Sequence, residues 1–416
     1  MNNQVAALRE ANIKVQTLNS NTPTSDRNAI IDDLRCGHPH TRLLYITPEY
    51  TLTESFRKHI STVYTQGELS RIAIDEAHCI SEWGHDFRTA FTSLSYFRST
   101  FPSVPIICLT ATATAAVRQD IITTLNLDSE NLKIFTTSTS RLNLHYEVRF
   151  TSDEHDCRFS YFISWLQTVY ARRRNNPTRA AEIAVQNERA EAVSGIIYVS
   201  FRSECDALAA RLRSHNIGAA PYHAGLSAYD RVECQRKWLA NEPGWDVVVA
   251  TTAFGMGIDK QDVRFVVHWN MPKSFEGFYQ EAGRAGRDGK AAACVLFYSR
   301  EDRDRIAHRM TRDGSTGSNN TDNAHATAQA KAAQSKNRAE SFQKLVNYCE
   351  GTGKCRHGFI SDFFADQEPP ACDFACDYCK DAEGLKRRKR EGLASEEWVS
   401  TQRERSDFFE ESQGYY

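Results

Sequence analysis

Short apolar runs alternate with helix-like stretches along this chain, and the alternation happens twice. Val15–Leu18, Arg42–Thr47, the run ending at Asp75, Val104–Leu109 and Leu132–Thr136 read as strands of a first set. Gly195–Ser200, Ala219–His223, Trp245–Thr251, Val263–His268 and Ala292–Tyr298 read as strands of a second. Runs this short and apolar, with helical stretches between them, predict buried parallel strands wrapped by helices. The fold class is therefore α/β, with two parallel-sheet lobes. Ser138–Val148 reads as the linker that crosses between them. The polar run from Arg172 to Glu191 reads as a solvated insertion, not a basic nucleic-acid patch.

Length and charge set outer bounds. A chain of 416 residues has room for two domains and a small third. A net charge of −2 gives no global basic field, which argues against a protein that simply coats nucleic acid. An enzyme that grips nucleic acid in a local groove is still allowed. Met1–Glu10 has no apolar core of signal-peptide length, and no apolar run approaches a membrane span. The expected setting is intracellular and reducing, with no membrane partner. Twelve cysteines in that setting are not expected to form a disulfide framework. Cys36, Cys79, Cys108, Cys157, Cys205, Cys234 and Cys294 are scattered and read as small buried hydrophobes. The other five crowd into positions 349–379.

Four stretches carry chemistry. The apolar run Ile72–Ile74 ends in Asp75 and Glu76, followed by His78. In an open α/β sheet, ligands sit beyond the carboxyl ends of the strands. An aspartate there can hold Mg²⁺, and a neighbouring glutamate can polarise an attacking water. The bland alternative is an acidic surface turn. In the second lobe, Tyr279–Gly289 reads as a helix ending at glycine. Gln280, Arg284 and Arg287 then fall at i, i+4 and i+7 on one face, with Gly283 and Gly286 clearing space beside the arginines. Paired guanidinium groups suit the oxygens of a transferring phosphoryl group. The loop Ala250–Lys260, with Gly255, Gly257 and Asp259, is placed to touch nucleotide or nucleic-acid backbone. Finally, Cys355, Cys372, Cys376 and Cys379 have spacing that fits a closed tetrahedral Zn²⁺ site, with Cys349 off the metal. Few large apolar residues are evident over 339–381, so metal is expected to supply much of that segment's folding energy.

Taken together, these stretches resemble the RecQ family of DNA helicases. Those carrying the likeness are Asp75-Glu-Ala-His-Cys-Ile-Ser-Glu-Trp-Gly-His-Asp-Phe-Arg88, Leu109-Thr-Ala-Thr-Ala113, Tyr222-His-Ala-Gly-Leu226, Ala253-Phe-Gly-Met-Gly-Ile258 and Gln280-Glu-Ala-Gly-Arg-Ala-Gly-Arg-Asp-Gly289. They occur in the family's order over about residues 1–381. The resemblance implies two RecA-like lobes, the first incomplete, plus a zinc-binding helical subdomain. It implies a 3′ to 5′ DNA helicase driven by ATP with Mg²⁺, with Asp75 on the Mg²⁺ and Glu76 as general base. His78 would link the two lobes, Thr110–Thr112 would couple the site to lobe movement, and Arg287 would be the arginine finger beside Arg284. Ser81, Trp83, His85, Phe87 and Arg88 would contact single-stranded DNA, the aromatics offering stacking surfaces. Partners would be single-stranded and duplex DNA, in recombination, repair or replication.

The expected organisation is a first lobe over 1–140, a second over 141–310, a flexible linker over 311–338, the zinc subdomain over 339–381 and a charged tail over 382–416. Lys386–Arg390 in that tail is a candidate nuclear signal, with a solvated basic run as the plain alternative. The 416 residues contain no Gly-x-x-x-x-Gly-Lys-Ser/Thr phosphate loop. Met1-Asn-Asn-Gln-Val5 resembles an internal segment of the family, so the first lobe is expected to lack its opening strand, loop and helix. The family's winged-helix and helical C-terminal domains are also not among these residues. The alternatives to a helicase core are a catalytically silent nucleic-acid-binding remnant and a scaffold whose ATPase half comes from another chain.

Overall fold

The computed structural model describes residues 2–19, 22–81, 87–128, 130–151, 155–185, 188–255, 258–315, 324–366, 372–373 and 375–393. The chain divides into two compact units. The first holds 1–137, 257–259 and 320–338; the second holds 138–256, 260–319 and 339–416.

In the first unit, β1 (Val15–Leu18) pairs in parallel with β2 (Leu43–Ile46), and β3 (Ile72–Ile74) with β4 (Ile106–Cys108). The sequence predicts one continuous parallel sheet; the described strands form two separate pairs instead. Amphipathic helices cover them. In Glu54–Thr65 the buried residues are Phe56, Ile60 and Val63, one stripe at helical spacing, and the Thr53 hydroxyl caps the helix by accepting from the Phe56 amide at 3.3 Å. Ala115–Thr124 buries Val117 and Ile121 behind a Thr114 cap. These residues join Leu18, Ile74, Phe97 and Phe101 in one core. Leu132–Thr136, expected to be a strand, is not one. An extended segment becomes a strand only when a neighbour supplies ladder hydrogen bonds, and here Phe135 is 90% exposed.

The second unit is built on a six-stranded parallel sheet. It adds β5 (Leu144–Phe150), β6 (Gly195–Tyr198), β7 (Ala219–Tyr222), β8 (Val247–Ala250), β9 (Phe265–His268) and β10 (Ala292–Tyr298), in the order β5-β10-β9-β6-β8-β7. β6, β8 and β9 are buried at every position, as strands covered on both faces must be. β5 corrects the linker reading of Ser138–Val148. Its sequence Leu-His-Tyr-Glu-Val-Arg-Phe alternates buried and half-buried positions along its whole length, the period-two pattern of an edge strand.

The Arg172–Glu191 run is solvated as expected, with none of its described residues buried; it is largely helical, in His155–Asn175 and Pro177–Val185, and its arginines pair with Glu182, Glu188 and Glu191. A further expectation changes. The supposed linker over 311–338 is mostly helix: Arg300–Ser315 runs into it, and Ala324–Glu350 occupies the rest beyond 323. Its alanines, glutamines and lysines are strong helix formers, and that local preference outweighs the scarcity of large apolar residues. The described part of the tail is also a helix, over 382–393, with Leu385 and Leu393 buried.

Candidate active site and metal centre

At the carboxyl end of β3 the chain turns sharply. Asp75 is exposed, and its Oδ1 accepts the Glu76 amide at 2.9 Å. Glu76 adopts a left-handed backbone, φ 53° and ψ 42°. A non-glycine residue held there costs about 1–3 kcal/mol, and such strain clusters at functional sites. The turn leaves the Glu76 side chain 46% exposed while the following residues, Ala77–Ile80, dive into the core as a 3₁₀ turn. His78 is fully enclosed: its Nδ1 lies 3.0 Å from Thr110 Oγ1 and 3.4 Å from Glu76 Oε2. The Thr110 hydroxyl also receives the Thr112 amide at 3.2 Å. The threonine segment after β4 is thus joined through one imidazole to the glutamate after β3. Leu109 and Ala77 lock the two strand ends together by backbone hydrogen bonds, Leu109 N to Ile74 O at 2.8 Å and Ala77 N to Leu109 O at 2.9 Å.

Of the residues expected to contact DNA, Trp83 and His85 lie outside the described residues. Ser81 is buried, and Phe87 and Arg88 are half-buried. The Arg88 amide donates to Cys79 O at 2.9 Å, so the segment re-enters the core beside the turn it left.

In the second unit the arginine pair sits differently from the expected helix face. The helix Phe275–Ala282 stops at its C-cap, Gly283, and Gly286 is left-handed at φ 54°. Arg284 and Arg287 therefore project from a turn beyond the helix, while Gln280 stays within it. The two glycines end the helix and set the turn; they are not penalties carried inside it. The turn is pinned by Gly286 N to Val263 O at 2.8 Å and Asp288 N to Gln261 O at 3.1 Å. Space for Arg284 comes from Gly255, where an added Cβ would lie 3.2 Å from the Arg284 Nη2. Arg284 is half-buried with its Nε unpartnered, whereas Arg287 is exposed.

Sequence reasoning missed the residues packed behind Arg284. Tyr198 ends β6, donates its hydroxyl to Phe254 O at 2.8 Å and stacks on His268, whose Nε2 meets Glu281 Oε2 at 2.9 Å. Burial pushes the Tyr198 phenol up, with Arg284 pulling the other way. Tyr198 and His268 read in sequence as ordinary strand positions, so no pattern singles them out. Gly257 lies outside the described residues, and Asp259 is exposed.

The cysteine cluster is the clearest geometry in the chain. The sulfurs of Cys355, Cys372, Cys376 and Cys379 all lie within 4.8 Å of one another, with Cys355 and Cys376 at 3.9 Å. Tetrahedral zinc with Zn–S near 2.3 Å requires sulfurs about 3.8 Å apart, so the four residues fit the ion. Burial pushes the Cys372 thiol up to about 12, and only a dication makes four adjacent thiolates favourable. Cys349 is fully buried and outside this cluster.

Metal is not all that holds this segment. Phe342, Leu345, Val346, Tyr348, Ile360 and Phe364 are buried, which corrects the expectation of few large apolar residues over 339–381. Phe275, at the start of the helix that leads into the arginine turn, packs among Tyr348, Phe359 and Phe363. Arg356 and Asp377 form a buried pair at 2.8 Å, and Asp377 Oδ2 also accepts the β5 amide of Val148 at 3.0 Å. Purified protein is expected to carry about one zinc ion per chain. Cys372→Ser should lose the metal and open residues 366–380 to protease while the helices Ala324–Glu350 and Arg356–Phe364 persist. Cys349→Ala should keep the metal. Zinc retained by Cys372→Ser would remove that residue from the site.

The chain thus combines carboxylates at a parallel-strand terminus, a second parallel sheet carrying paired arginines, and a four-cysteine module. Comparison with known proteins gives the class. The family model for DEAD/DEAH box helicases matches residues 1–121, that for the helicase conserved C-terminal domain 178–289, and that for RecQ zinc-binding 300–380. The ATP-dependent DNA helicase Q5 of Mus musculus is 37% identical over 96% of this chain, and the RecQ-like DNA helicase BLM of Xenopus laevis is 36% identical over 92%. The chain belongs to the RecQ family. It spans 38% of the length of the first relative and 26% of the second. The solved structure of the DUF1998 helicase MrfA bound to DNA and AMPPNP matches with a TM-score of 0.52 at 16% identity, over 80% of this chain and 46% of that one, a likeness of fold. Among the described residues no helix is long and apolar enough to cross a membrane.

Proposed function

We propose that this chain forms most of the motor of an ATP-dependent DNA helicase of RecQ type, which moves 3′ to 5′ along one strand. Its work would lie in nuclear DNA recombination, repair or replication. The observation that carries this reading is the four-cysteine module on the second α/β unit of a chain that also holds the Asp75–Glu76 turn. DEAH carboxylates alone fit RNA helicases equally well.

In this reading Asp75 holds Mg²⁺, which supplies charge neutralisation on the phosphates when bound. Glu76 orients and deprotonates the attacking water, its left-handed backbone keeping the carboxylate clear of the core. His78 reports the state of Glu76 to Thr110, the first residue of the threonine segment. Arg287 places positive charge on the departing phosphoryl oxygens, and Arg284, held against Gly255 and Tyr198, stands beside it. Gln280, Gly257 and Asp259 complete the nucleotide contacts. Ser81, Trp83, His85, Phe87 and Arg88 contact the single strand, with the aromatic rings as stacking surfaces.

The reading is tested by strand separation on duplexes with a 3′ or a 5′ single-stranded tail. Separation of the 3′-tailed duplex alone is expected, and preference for the 5′ tail would overturn the polarity. In the chain joined to a phosphate loop, Trp83→Ala is expected to leave basal ATPase near normal and weaken its stimulation by single-stranded DNA, since a lost stacking contact is worth about 1–3 kcal/mol per base. Unchanged stimulation would move Trp83 out of the DNA path.

A second reading, a catalytically silent nucleic-acid binder, is favoured by one observation. A polypeptide of just these 416 residues has no phosphate loop. ATP turnover separates the two readings.

A further inference from the structure

Arg141 and Asn143 lie just ahead of β5, in a stretch whose sequence suggests only a crossing linker. Their side chains make contacts that a linker does not need. One guanidinium nitrogen of Arg141 donates to Gly283 O at 2.8 Å and the other to Gly286 O. The Asn143 amide donates to Gly286 O at 2.8 Å and to Lys290 O at 2.9 Å. The acceptors are carbonyls of the turn that follows the helix Phe275–Ala282: Gly283 O at the C-cap, then Gly286 O and Lys290 O further along. Backbone carbonyls outside a helix or strand ladder need other donors. Those of Gly283 and Gly286 bracket Arg284, and those of Gly286 and Lys290 bracket Arg287.

The fit explains why position 286 is glycine. A Cβ there would lie 2.6 Å from the Asn143 amide nitrogen and 2.8 Å from Lys290 O, and the backbone is left-handed. The segment carrying the two donors is itself fixed at several points. Asp366 Oδ2 accepts from the Thr139 amide at 2.9 Å and from its hydroxyl at 2.7 Å, and Ser140 Oγ lies 3.1 Å from His357 Nδ1. Further along, the Tyr146 amide donates to Ala375 O at 3.1 Å, beside the metal ligand Cys376. The Tyr279 hydroxyl donates to Thr139 O at 2.7 Å. Residues 139–148 thus form a splint with the zinc module on one side and the arginine turn on the other.

We propose that Arg141 and Asn143 are positioning residues for the arginine turn: they hold Arg284 and Arg287 in the geometry phosphoryl transfer needs without touching nucleotide themselves. This rests on the helicase reading for its kinetic consequence but not for its structural one. A planar fork suits two carbonyls of fixed separation, and a lysine meets them less well.

The test compares Arg141→Ala, Arg141→Lys and Asn143→Ala in two measurements. The first is hydrogen exchange of peptides spanning 283–290 in zinc-loaded protein. Exchange there should rise in both alanine variants, with zinc content and exchange in 292–298 unchanged. The second is ATP turnover in a form of the protein that shows DNA-stimulated ATPase. A displaced catalytic group costs about 10²-fold in rate, so kcat should fall by that order with KM for ATP nearly constant. Arg141→Lys should recover part of the loss. Unchanged exchange at 283–290, or raised exchange with unchanged kcat, would overturn the proposal. If the chain joined to a phosphate loop shows no DNA-stimulated ATPase, the helicase reading has failed, and the exchange measurement still decides whether the two residues hold the turn. Should Arg141→Ala not fold, Arg141→Lys and Asn143→Ala carry the comparison.

Discussion

In the chain joined to a phosphate loop, Arg287→Ala is expected to cut DNA-stimulated ATP turnover by about 10³-fold or more while leaving ATP affinity little changed. The separation into kcat and KM follows from what a finger arginine does. Charge builds on the transferring phosphoryl oxygens only as the bond to the leaving group breaks, so a guanidinium aimed there stabilises the transition state far more than the bound nucleotide. The structure suits such a role. Arg287 is exposed, follows a left-handed glycine and sits on a turn pinned by backbone bonds to Gln261 and Val263. Arg287→Lys should rescue little, because an ammonium lacks the planar fork. Arg284 is packed against Gly255 and Tyr198, and its loss should also disturb the turn itself. If Arg287→Ala weakened nucleotide affinity alone, the finger role would be wrong.

How far the sequence reveals this arrangement depends on the kind of signal. Val15–Leu18 is a strand with the expected bounds, and the buried strands of the second unit are legible because a strand covered on both faces must be apolar throughout. The cysteine quartet is legible because ligand identity and spacing already specify a tetrahedron. The failures share a cause. Leu132–Thr136 looks like a strand but has no ladder among the described residues, and a ladder is a tertiary fact. β5 is hidden by polar residues at alternate positions, a pattern that is read correctly only once period two is tested. The arginines fall at helical spacing, yet Gly283 stops the helix before them, so the spacing points to the right residues and the wrong geometry. Tyr198, His268, Arg141 and Asn143 carry no local signal, because their partners lie 13 to 147 residues away. Ala324–Glu350 shows the reverse case, where local helix propensity prevails over a low-complexity composition.

The second large effect concerns the polypeptide of residues 1–416 itself: it is expected not to hydrolyse ATP at a helicase rate. Phosphoryl transfer is catalysed by positioning and by charge around the β- and γ-phosphates. Phosphate-loop amides, a lysine and a Mg²⁺-binding hydroxyl supply most of that cradle in enzymes of this kind. In the proposed reading Asp75, Glu76, Arg284 and Arg287 would finish such a site but would not seat a triphosphate alone. Beside the DEAH turn Ile107 and Leu109 are 40% and 52% exposed, an apolar edge that an added strand and helix would cover.

The decisive measurement is DNA-stimulated ATP turnover by two zinc-loaded proteins assayed side by side. One is the 416-residue polypeptide, and the other is the same chain joined at Met1 to the opening strand, phosphate loop and helix of a RecQ relative. Turnover that appears only in the joined protein, and rises with single-stranded DNA, is the expected result. Equal turnover from both, or none from the joined protein, would contradict the assignment of these residues as the remainder of a RecQ motor.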